Sequence, residues 1–270
     1  MSVMTGSAER RAVFLQEIGV GPLWQRRTAV PPQQHPSTEF AVGMSQPAAF
    51  DDMPIDMPPL ALPETDKPMA RDVSVPEVSS MDWEQLQSAV AACTKCGLCT
   101  GRTKTVFGVG DEKAKWLFVG EGPGRNEDLR GEPFIGQAGK LLDNMLLAMG
   151  LKRGENAYIA NIVKCRPTDE TGRDRVPTPV ETAACMPYLE RQITLIQPTV
   201  IVALGKTAAI SLLGVDAETP VSKLRGTVHR YADRPLVVTY HPAYLLRNMA
   251  DKKKAWADIC LAMTAYAGVR

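Results

Sequence analysis

The distribution of proline along the chain limits where a regular fold can form. Residues 1–80 contain 11 of the 21 prolines, as in the run DMPIDMPP at 52–59. Each proline lacks a backbone N–H and restricts the residue before it, so this run cannot form a helix or a central strand. We therefore predict a disordered linker over residues 28–80, and we expect residues 81–270 to build the folded domain.

Charge and apolar content exclude several classes of protein. The 270 residues carry a net charge of +1, which combines −4 over residues 1–80 with +5 over residues 81–270. No apolar run approaches the ~20 residues of a membrane span, and the first thirty residues do not have the apolar core of a secretory signal. We therefore expect a cytoplasmic protein without a membrane segment, and we expect it to be a monomer.

Residues 8–20 differ from the linker that follows them. Val13, Phe14, Ile18 and Trp24 are expected to line one apolar side of a short helix that ends near Gly19 or Gly21. A short amphipathic helix on a long linker is typical of a docking peptide. Residues 1–27 are therefore interpreted as a docking segment.

From Met81 onward, short apolar runs alternate with helical patterns. Strands are predicted at 115–120, 157–164, 199–204, around 227–231 and at 236–239. Helices are predicted at 82–92, 138–149, 179–196, 206–213, just after Pro242 and at 252–267. This order predicts a single three-layer α/β/α domain around a central, mainly parallel four-stranded sheet. In such a sheet, ligands bind beyond the carboxyl ends of the strands.

Three unusual segments stand at those strand ends. The glycines of GEGPG at 120–124 let the backbone approach a ligand closely, although such loops are often glycine-rich for packing alone. Asn161 lies inside an apolar strand, where it has to pair with a neighbouring loop or with a ligand. His241 precedes a proline that can hold its imidazole towards the cleft, although a single histidine is often structural. Together they mark the candidate active-site edge.

The cysteines form the strongest constellation of chemical groups. Six cysteines are too few for a disulfide scaffold in this chain, so a cluster of them indicates a metal. Four thiolates suit either tetrahedral zinc or a [4Fe–4S] cluster with an electron-carrying or a structural role. Cys99 extends the first pair to CxxCxxC, whereas Cys260 is interpreted as a buried apolar residue. The four candidate ligands are Cys93, Cys96, Cys165 and Cys185.

Several motifs in order resemble family 4 uracil-DNA glycosylases, the iron–sulfur branch of that superfamily. They are CTKC at 93–96, GRT at 101–103, VFG at 106–108, VGEGPG at 119–124, ED at 127–128, PFIGQAG at 133–139, NIVKCRP at 161–167 and HPAYLLR at 241–247. The resemblance runs from about Trp83 to Ala267. It implies a DNA repair enzyme that flips uracil out of DNA and hydrolyses its N-glycosidic bond, leaving an abasic site.

The resemblance also implies how the flipped base is held. Phe134 matches the aromatic floor beneath the ring. Asn161 matches the residue that donates to O4 and accepts from N3–H, a pattern that cytosine cannot satisfy. His241 matches the donor to O2, where charge accumulates as the base leaves.

The sugar side is expected to use a different carboxylate from the best-known branch of the superfamily. That branch has an aspartate at the position of Gly122, which is expected here to contact substrate through its backbone. We expect Glu127 to act on the sugar or on water and to exclude the methyl group of thymine. Glu121 is the alternative, and it has a structural interpretation as a partner of loop N–H groups.

The resemblance assigns the four candidate ligands to a [4Fe–4S] cluster and leaves Cys99 as a spare thiol. A structural role is expected because the hydrolysis needs no electron transfer. DNA is expected to contact basic phosphate anchors and an apolar wedge, with salt-sensitive affinity. The predicted anchors are Arg102, Lys164, Arg166 and Arg247, and the predicted wedge is Leu245 and Leu246.

Two other function classes fit parts of the sequence. An iron–sulfur redox carrier would not need Asn161 or His241, and a nucleic-acid-binding relative without activity would bind DNA and leave it intact. In the leader, residues 8–27 resemble the start of the psi subunit of DNA polymerase III, whose amino-terminal segment docks on the clamp loader. This second resemblance implies the clamp loader as a partner.

Overall fold

The computed structural model describes residues 77–269. The predicted docking segment, residues 1–27, and most of the predicted linker, residues 28–80, lie outside this range. The last four residues of that linker are described, and they include a 3-10 helix, Val78–Ser80. Among the described residues, no helix is both long enough and apolar enough to cross a membrane.

Six strands and nine α-helices are found in the described part of the chain. The strands are β1 (Val109–Gly110), β2 (Trp116–Gly120), β3 (Ala157–Asn161), β4 (Val200–Leu204), β5 (Val228–Tyr231) and β6 (Arg234–Thr239). The helices are α1 (Trp83–Ala91), α2 (Leu98–Gly101), α3 (Arg125–Arg130), α4 (Gln137–Ala148), α5 (Pro179–Ile196), α6 (Lys206–Leu213), α7 (Val221–Leu224), α8 (Pro242–Arg247) and α9 (Lys252–Ala267). Sequence periodicity does not predict α2, α3 and α7, because such short helices contain too few turns for an apolar repeat.

Capping boxes define where two of the longer helices begin. The side chain of Asp82 accepts from the backbone N–H of Gln85 and so caps α1. Thr178 does the same for Glu181 at the start of α5, where Pro179 occupies the first turn. In both helices the side chain of the third residue accepts a hydrogen bond from the backbone N–H of the capping residue. Two N–H groups that would otherwise be unpaired are therefore satisfied.

The sheet has the strand order β1-β3-β2-β4-β6-β5. Its four central strands are parallel, whereas β1 and β5 pair antiparallel at the two edges. The prediction of a mainly parallel sheet is confirmed, but the prediction of four strands is wrong. β1 is only two residues long, and β5 folds back on β6 through a tight turn at Ala232 and Asp233, which both have positive φ. A strand is predicted around 227–231, where β5 lies, but β1 is not predicted because two residues are too few to show an apolar repeat.

Helices cover both faces of the sheet, which confirms the three-layer prediction. Leu117 and Val119 of β2 pack with apolar residues of α5 and α6. Trp116 and Phe118 point to the opposite face and pack with residues of α4 and α9. All residues of β2, β3 and β4 are buried, as expected for parallel strands covered on both sides.

A buried ion pair joins α9 to Arg225, the residue after α7, and its carboxylate also accepts from the end of β6. Arg225 donates from Nε and Nη2 to the carboxylate of Asp258 at 3.0 and 2.9 Å. Thr239, the last residue of β6, donates to the same carboxylate at 3.0 Å. Burial raises the pKa of Asp258, and the guanidinium of Arg225 opposes that shift. The pair therefore holds the strand end two residues before His241.

Replacing Arg225 by Met is expected to lower the free energy of unfolding by about 3–5 kcal/mol, because the carboxylate of Asp258 would be left buried without its cation. Urea unfolding at neutral pH measures the change. The matched control is Arg230→Met, because the pair of Arg230 with Asp233 is exposed and 3.9 Å apart. Equal losses in the two variants would contradict the expectation.

Candidate active site and cysteine cavity

A cavity of about 230 Å³ opens beyond the carboxyl ends of the central strands. Because β2, β3 and β6 run in one direction, the residues that end them or follow them meet at this edge of the sheet. Six residues predicted for the base and the sugar line this single cavity. They are Glu121, Gly122, Glu127, Phe134, Asn161 and His241.

Phe134 forms an aromatic wall of the cavity. Its ring centroid lies 5.4 Å from that of His241, with 30° between the ring planes. Its φ is 55°, a left-handed conformation that costs a residue other than glycine about 1–3 kcal/mol. Gly139 accommodates this loop, since a Cβ at that position would lie 1.7 Å from the carbonyl oxygen of Phe134. The structure therefore holds Phe134 in a conformation that it would not adopt alone.

Asn161 offers an unpaired acceptor to the cavity. The residue is only 2% exposed. Among residues 77–269, its Oδ1 is the one fully buried side-chain nitrogen or oxygen without a hydrogen-bond partner. Gly120, its partner in the adjacent strand, makes room for it, because a Cβ there would lie 2.5 Å from this oxygen. A buried acceptor without a partner is unfavourable unless a ligand donates to it.

His241 presents a defined tautomer to the cavity. Its Nδ1 accepts from the backbone N–H of Ala243 at 3.1 Å, so the proton of the neutral ring lies on Nε2. Burial and, to a smaller extent, the charge of Arg247 lower the pKa of His241 to about 4. At neutral pH the ring is therefore an uncharged donor through Nε2–H.

The two glutamates of the cavity are held in different ways. Oε1 of Glu127 accepts from the backbone N–H groups of Ile135 and Gly136 at 3.1 and 3.2 Å, so Glu127 supports the loop that carries Phe134. Glu121 accepts from the hydroxyl of Thr207, the second residue of α6. Burial raises the pKa of Glu121, and the hydrogen bond from Thr207 opposes this shift. Glu121 thus pairs with a side chain rather than with loop N–H groups.

Two predicted DNA contacts are wrong because their side chains are buried. Lys164 is 1% exposed, and its Nζ donates to the carbonyl oxygen of Asn161 at 3.0 Å and to Gln192 at 2.6 Å. Leu245 is also 1% exposed and lies beside residues of α4 and α9. Its neighbour Leu246 is 42% exposed. A phosphate cannot reach Lys164, and only Leu246 of the predicted wedge faces outward.

The other predicted anchors lie in three different settings. Arg102 is at the cysteines and away from the cavity mouth, since its Nη1 donates to the sulfur of Cys165 at 3.3 Å. Arg166 pairs with Asp174 at 2.6 Å, and Asp174 lines the cavity. Arg247 is exposed at the end of α8. The structure therefore leaves Arg166 and Arg247 near the site and assigns Arg102 to the other site.

Five cysteines line one separate cavity. They are Cys93, Cys96, Cys99, Cys165 and Cys185. None of them forms a disulfide. Elements far apart in sequence therefore bring together the four predicted ligands, and α2 adds the fifth thiol. The prediction that Cys260 is buried is wrong, because that side chain is exposed on α9.

The sulfur atoms of this cavity have hydrogen-bond donors. Besides the bond from Arg102, the backbone N–H of Lys164 donates to the sulfur of Cys185 at 3.2 Å. Burial raises the pKa of Cys165 and raises that of Cys185 to about 11. Within residues 77–269, no group of three His, Cys, Asp or Glu side chains is placed to hold a metal ion.

Three residues that the sequence reasoning missed support the site. Asp128 is buried and accepts from the backbone N–H of Thr103 at 2.9 Å. Thr207 holds Glu121, and Arg153 bonds the loop of Phe134. The resemblance already included Asp128 without a role. Thr207 and Arg153 carry no local pattern, because each contacts residues distant in sequence.

Comparisons with known proteins show the family to which the chain is similar. A family model described as the uracil DNA glycosylase superfamily matches residues 107–261. A type-4 uracil-DNA glycosylase from Archaeoglobus fulgidus is 47% identical over 163 residues, which are 58% of this chain and 79% of that protein. Proteins of the same name from Thermotoga maritima and Pyrobaculum aerophilum are 43% and 37% identical, and the matches cover 85% and 93% of their lengths and 63% and 67% of this chain.

The fold and the site thus define a three-layer α/β domain with a cavity beyond the carboxyl ends of its parallel strands. This chain belongs to the uracil DNA glycosylase superfamily, and it groups with relatives of type 4.

We expect the ring of His241 to stay neutral, with its proton on Nε2, from about pH 8 down to about pH 5.5. The reason is that burial holds its pKa at about 4, so protonation begins only as the pH falls towards that value. Long-range nitrogen–proton NMR spectra of ring-labelled protein report the tautomer and the charge, and His241→Gln identifies the signal. A ring that takes up a second proton and becomes charged near pH 6.5 would show the expectation to be wrong.

Proposed function

We propose that this chain removes uracil from DNA by hydrolysing its N-glycosidic bond and leaving an abasic site. One observation carries the proposal: the same cavity is lined by a residue with an unpaired acceptor, Oδ1 of Asn161, and by a residue with a donor, Nε2–H of His241. Uracil offers an N3–H donor between two carbonyl acceptors on one planar ring. The ring of Phe134 supplies a surface on which that plane can stack.

Asn161 is the residue proposed to select uracil over cytosine. Its Oδ1 accepts from N3–H of uracil, and its amide N–H donates to O4. Cytosine has an acceptor at N3 and an amino group at C4, so both contacts would fail. A buried polar group left facing the wrong base costs about 1–3 kcal/mol, which separates two bases of nearly equal shape.

His241 is proposed to stabilise the departing base. As the glycosidic bond breaks, negative charge collects on the uracil, and Nε2–H donates to O2. A single donor of this kind is worth about 3–4 kcal/mol in a dry site. The neutral ring suits the role, because it donates without needing a counter-ion in a buried pocket.

Glu127 is proposed to serve the sugar and the attacking water, with Glu121 as the alternative. Burial raises the pKa of Glu121, which favours its protonated form. Glu127 uses Oε1 for the loop N–H groups, and its Oε2 lies beside Gly124 at the cavity wall. A carboxylate oxygen is thus available at the site of Glu127 to orient water and to stabilise positive charge on the sugar.

Purified protein is expected to produce alkali-sensitive abasic sites in uracil-containing DNA. Asn161→Ala and His241→Ala are each expected to lower kcat/KM by about 10²–10³-fold, because each removes a contact made to the departing base. The matched control is His229→Ala, since His229 lies on the edge strand β5 and outside the cavity. DNA that stays intact with the wild-type protein would contradict the proposal. If the protein binds that DNA without cleaving it, the result would support a non-catalytic relative.

Cys93, Cys96, Cys165 and Cys185 are proposed to hold a [4Fe–4S] cluster. Four thiolates suit either a tetrahedral zinc ion or a [4Fe–4S] cluster. The resemblance to the iron–sulfur branch of the superfamily favours the cluster. Donors to the sulfurs of Cys165 and Cys185 are also present. The cluster would link α1, the end of β3 and α5, and no step of the hydrolysis needs it.

Anaerobically purified protein is expected to contain about four irons and to absorb broadly in the visible range. Cys165→Ser is expected to lose both, because it removes a buried ligand. Cys99→Ser is expected to keep both, as the spare thiol should, and Cys260→Ser is the control for an exposed cysteine. Zinc in place of iron, measured by metal analysis, would overturn the proposed cofactor.

DNA contacts and a partner complete the proposal. Arg166 and Arg247 are proposed to anchor phosphates, and Leu246 is proposed to enter the stack behind the flipped base because it is the exposed leucine of α8.

The clamp loader is proposed as the partner of residues 8–27. That partner rests on the sequence resemblance alone.

A further inference from the structure

We propose that Arg153 is a positioning residue that sets the orientation of Phe134 and so controls how well uracil is held. The proposal rests on the proposed function, because it deepens the role of the same cavity. Arg153 does not line that cavity. It lies in the loop between α4 and β3, and it is about one-fifth exposed.

All three nitrogens of the Arg153 guanidinium donate hydrogen bonds. Nη1 donates to the carbonyl oxygen of Pro133 at 2.9 Å, and Nη2 donates to that of Phe134 at 2.7 Å. Nε donates to Asp143 of α4 at 2.9 Å. One planar group therefore ties two consecutive peptide carbonyls to the body of a helix. Lysine has no planar fork and cannot form this set of bonds at once.

The peptide groups on both sides of Phe134 are fixed from opposite directions. Arg153 holds the carbonyl oxygens of Pro133 and Phe134, which belong to the peptide groups before and after Phe134. Glu127 holds the N–H groups of Ile135 and Gly136. Between these bonds, Phe134 keeps its left-handed φ of 55°. A strained residue persists only where its surroundings over-determine it. Removing one side of this support lets the backbone relax, and the ring then leaves its position beside His241.

This arrangement predicts where the loss will appear in the kinetics. The phosphate anchors are unchanged, so binding to undamaged DNA stays the same. Of the DNA, the ring of Phe134 is proposed to contact only the flipped base, so kcat/KM for uracil is expected to fall. Because Arg153 acts through Phe134, its removal has no further effect once the phenyl ring is absent.

A double-mutant cycle tests the proposal in the full chain. Arg153→Met is expected to lower kcat/KM for uracil-containing DNA by about tenfold or more, with less than a twofold change in affinity for uracil-free DNA. Arg153→Lys is expected to restore only part of the activity. Phe134→Ala and Phe134→Ala/Arg153→Met are expected to agree within about twofold. Lys152→Met is the matched control, because Lys152 is the exposed neighbour, with 72% of its side chain accessible.

Each outcome decides for or against the proposal. The proposal is overturned if the wild type is active and Arg153→Met is fully active. It is also overturned if Arg153→Met lowers kcat/KM by as much in the Phe134→Ala background as in the wild type. An inactive wild type instead overturns the proposed function. Thermal unfolding shows whether Arg153→Met folds. If Arg153→Met does not fold, Asp143→Asn takes its place, because it weakens the anchor of Arg153 and leaves both bonds to the carbonyl oxygens. The loss of kcat/KM caused by Asp143→Asn must then also disappear in the Phe134→Ala background.

Discussion

The parallel register of β2 and β3 is the constraint on which the candidate site depends. It places Gly120 beside Asn161 at the end of both strands. Gly120 leaves a space that the amide of Asn161 and the ring of Phe134 share, since a Cβ there would lie 2.5 Å and 2.6 Å from them. Any side chain at this position would displace either the acceptor or the aromatic wall. The remaining groups of the cavity are arranged around this space.

Lys164 connects the two sites of the molecule. Its Nζ donates to the carbonyl oxygen of Asn161, and its backbone N–H donates to the sulfur of Cys185. The charged group is buried and paired with Gln192, so it supports the strand end from within the protein. A structural cluster at the cysteines would therefore be linked through Lys164 to Asn161, the residue proposed to read the base. This link is a physical reason for the proposed hydrolase to contain a cluster.

Much of the fold and part of the site follow from local sequence. Apolar runs predict the central strands, and a polar residue at a strand end identifies Asn161 and His241 as candidates. Side-chain direction does not follow in the same way. Lys164 and Leu245 stand in motifs at the active-site edge, yet both are buried, because the turn after β3 and the helix α8 point them inward. Arg153 escapes notice for the opposite reason, since a lone arginine in a loop carries no pattern.

The sequence by itself determined the parallel α/β order, the set of cysteines and the polar residues at the strand ends. These depend on periodicity and on spacing, which are local properties of the chain. Only the tertiary structure decided the protonation of His241, the unpaired state of Asn161 and the support of Phe134 from both sides. Those properties depend on burial and on hydrogen bonds between residues distant in sequence, and such contacts exist only once the sheet has brought the strand ends together.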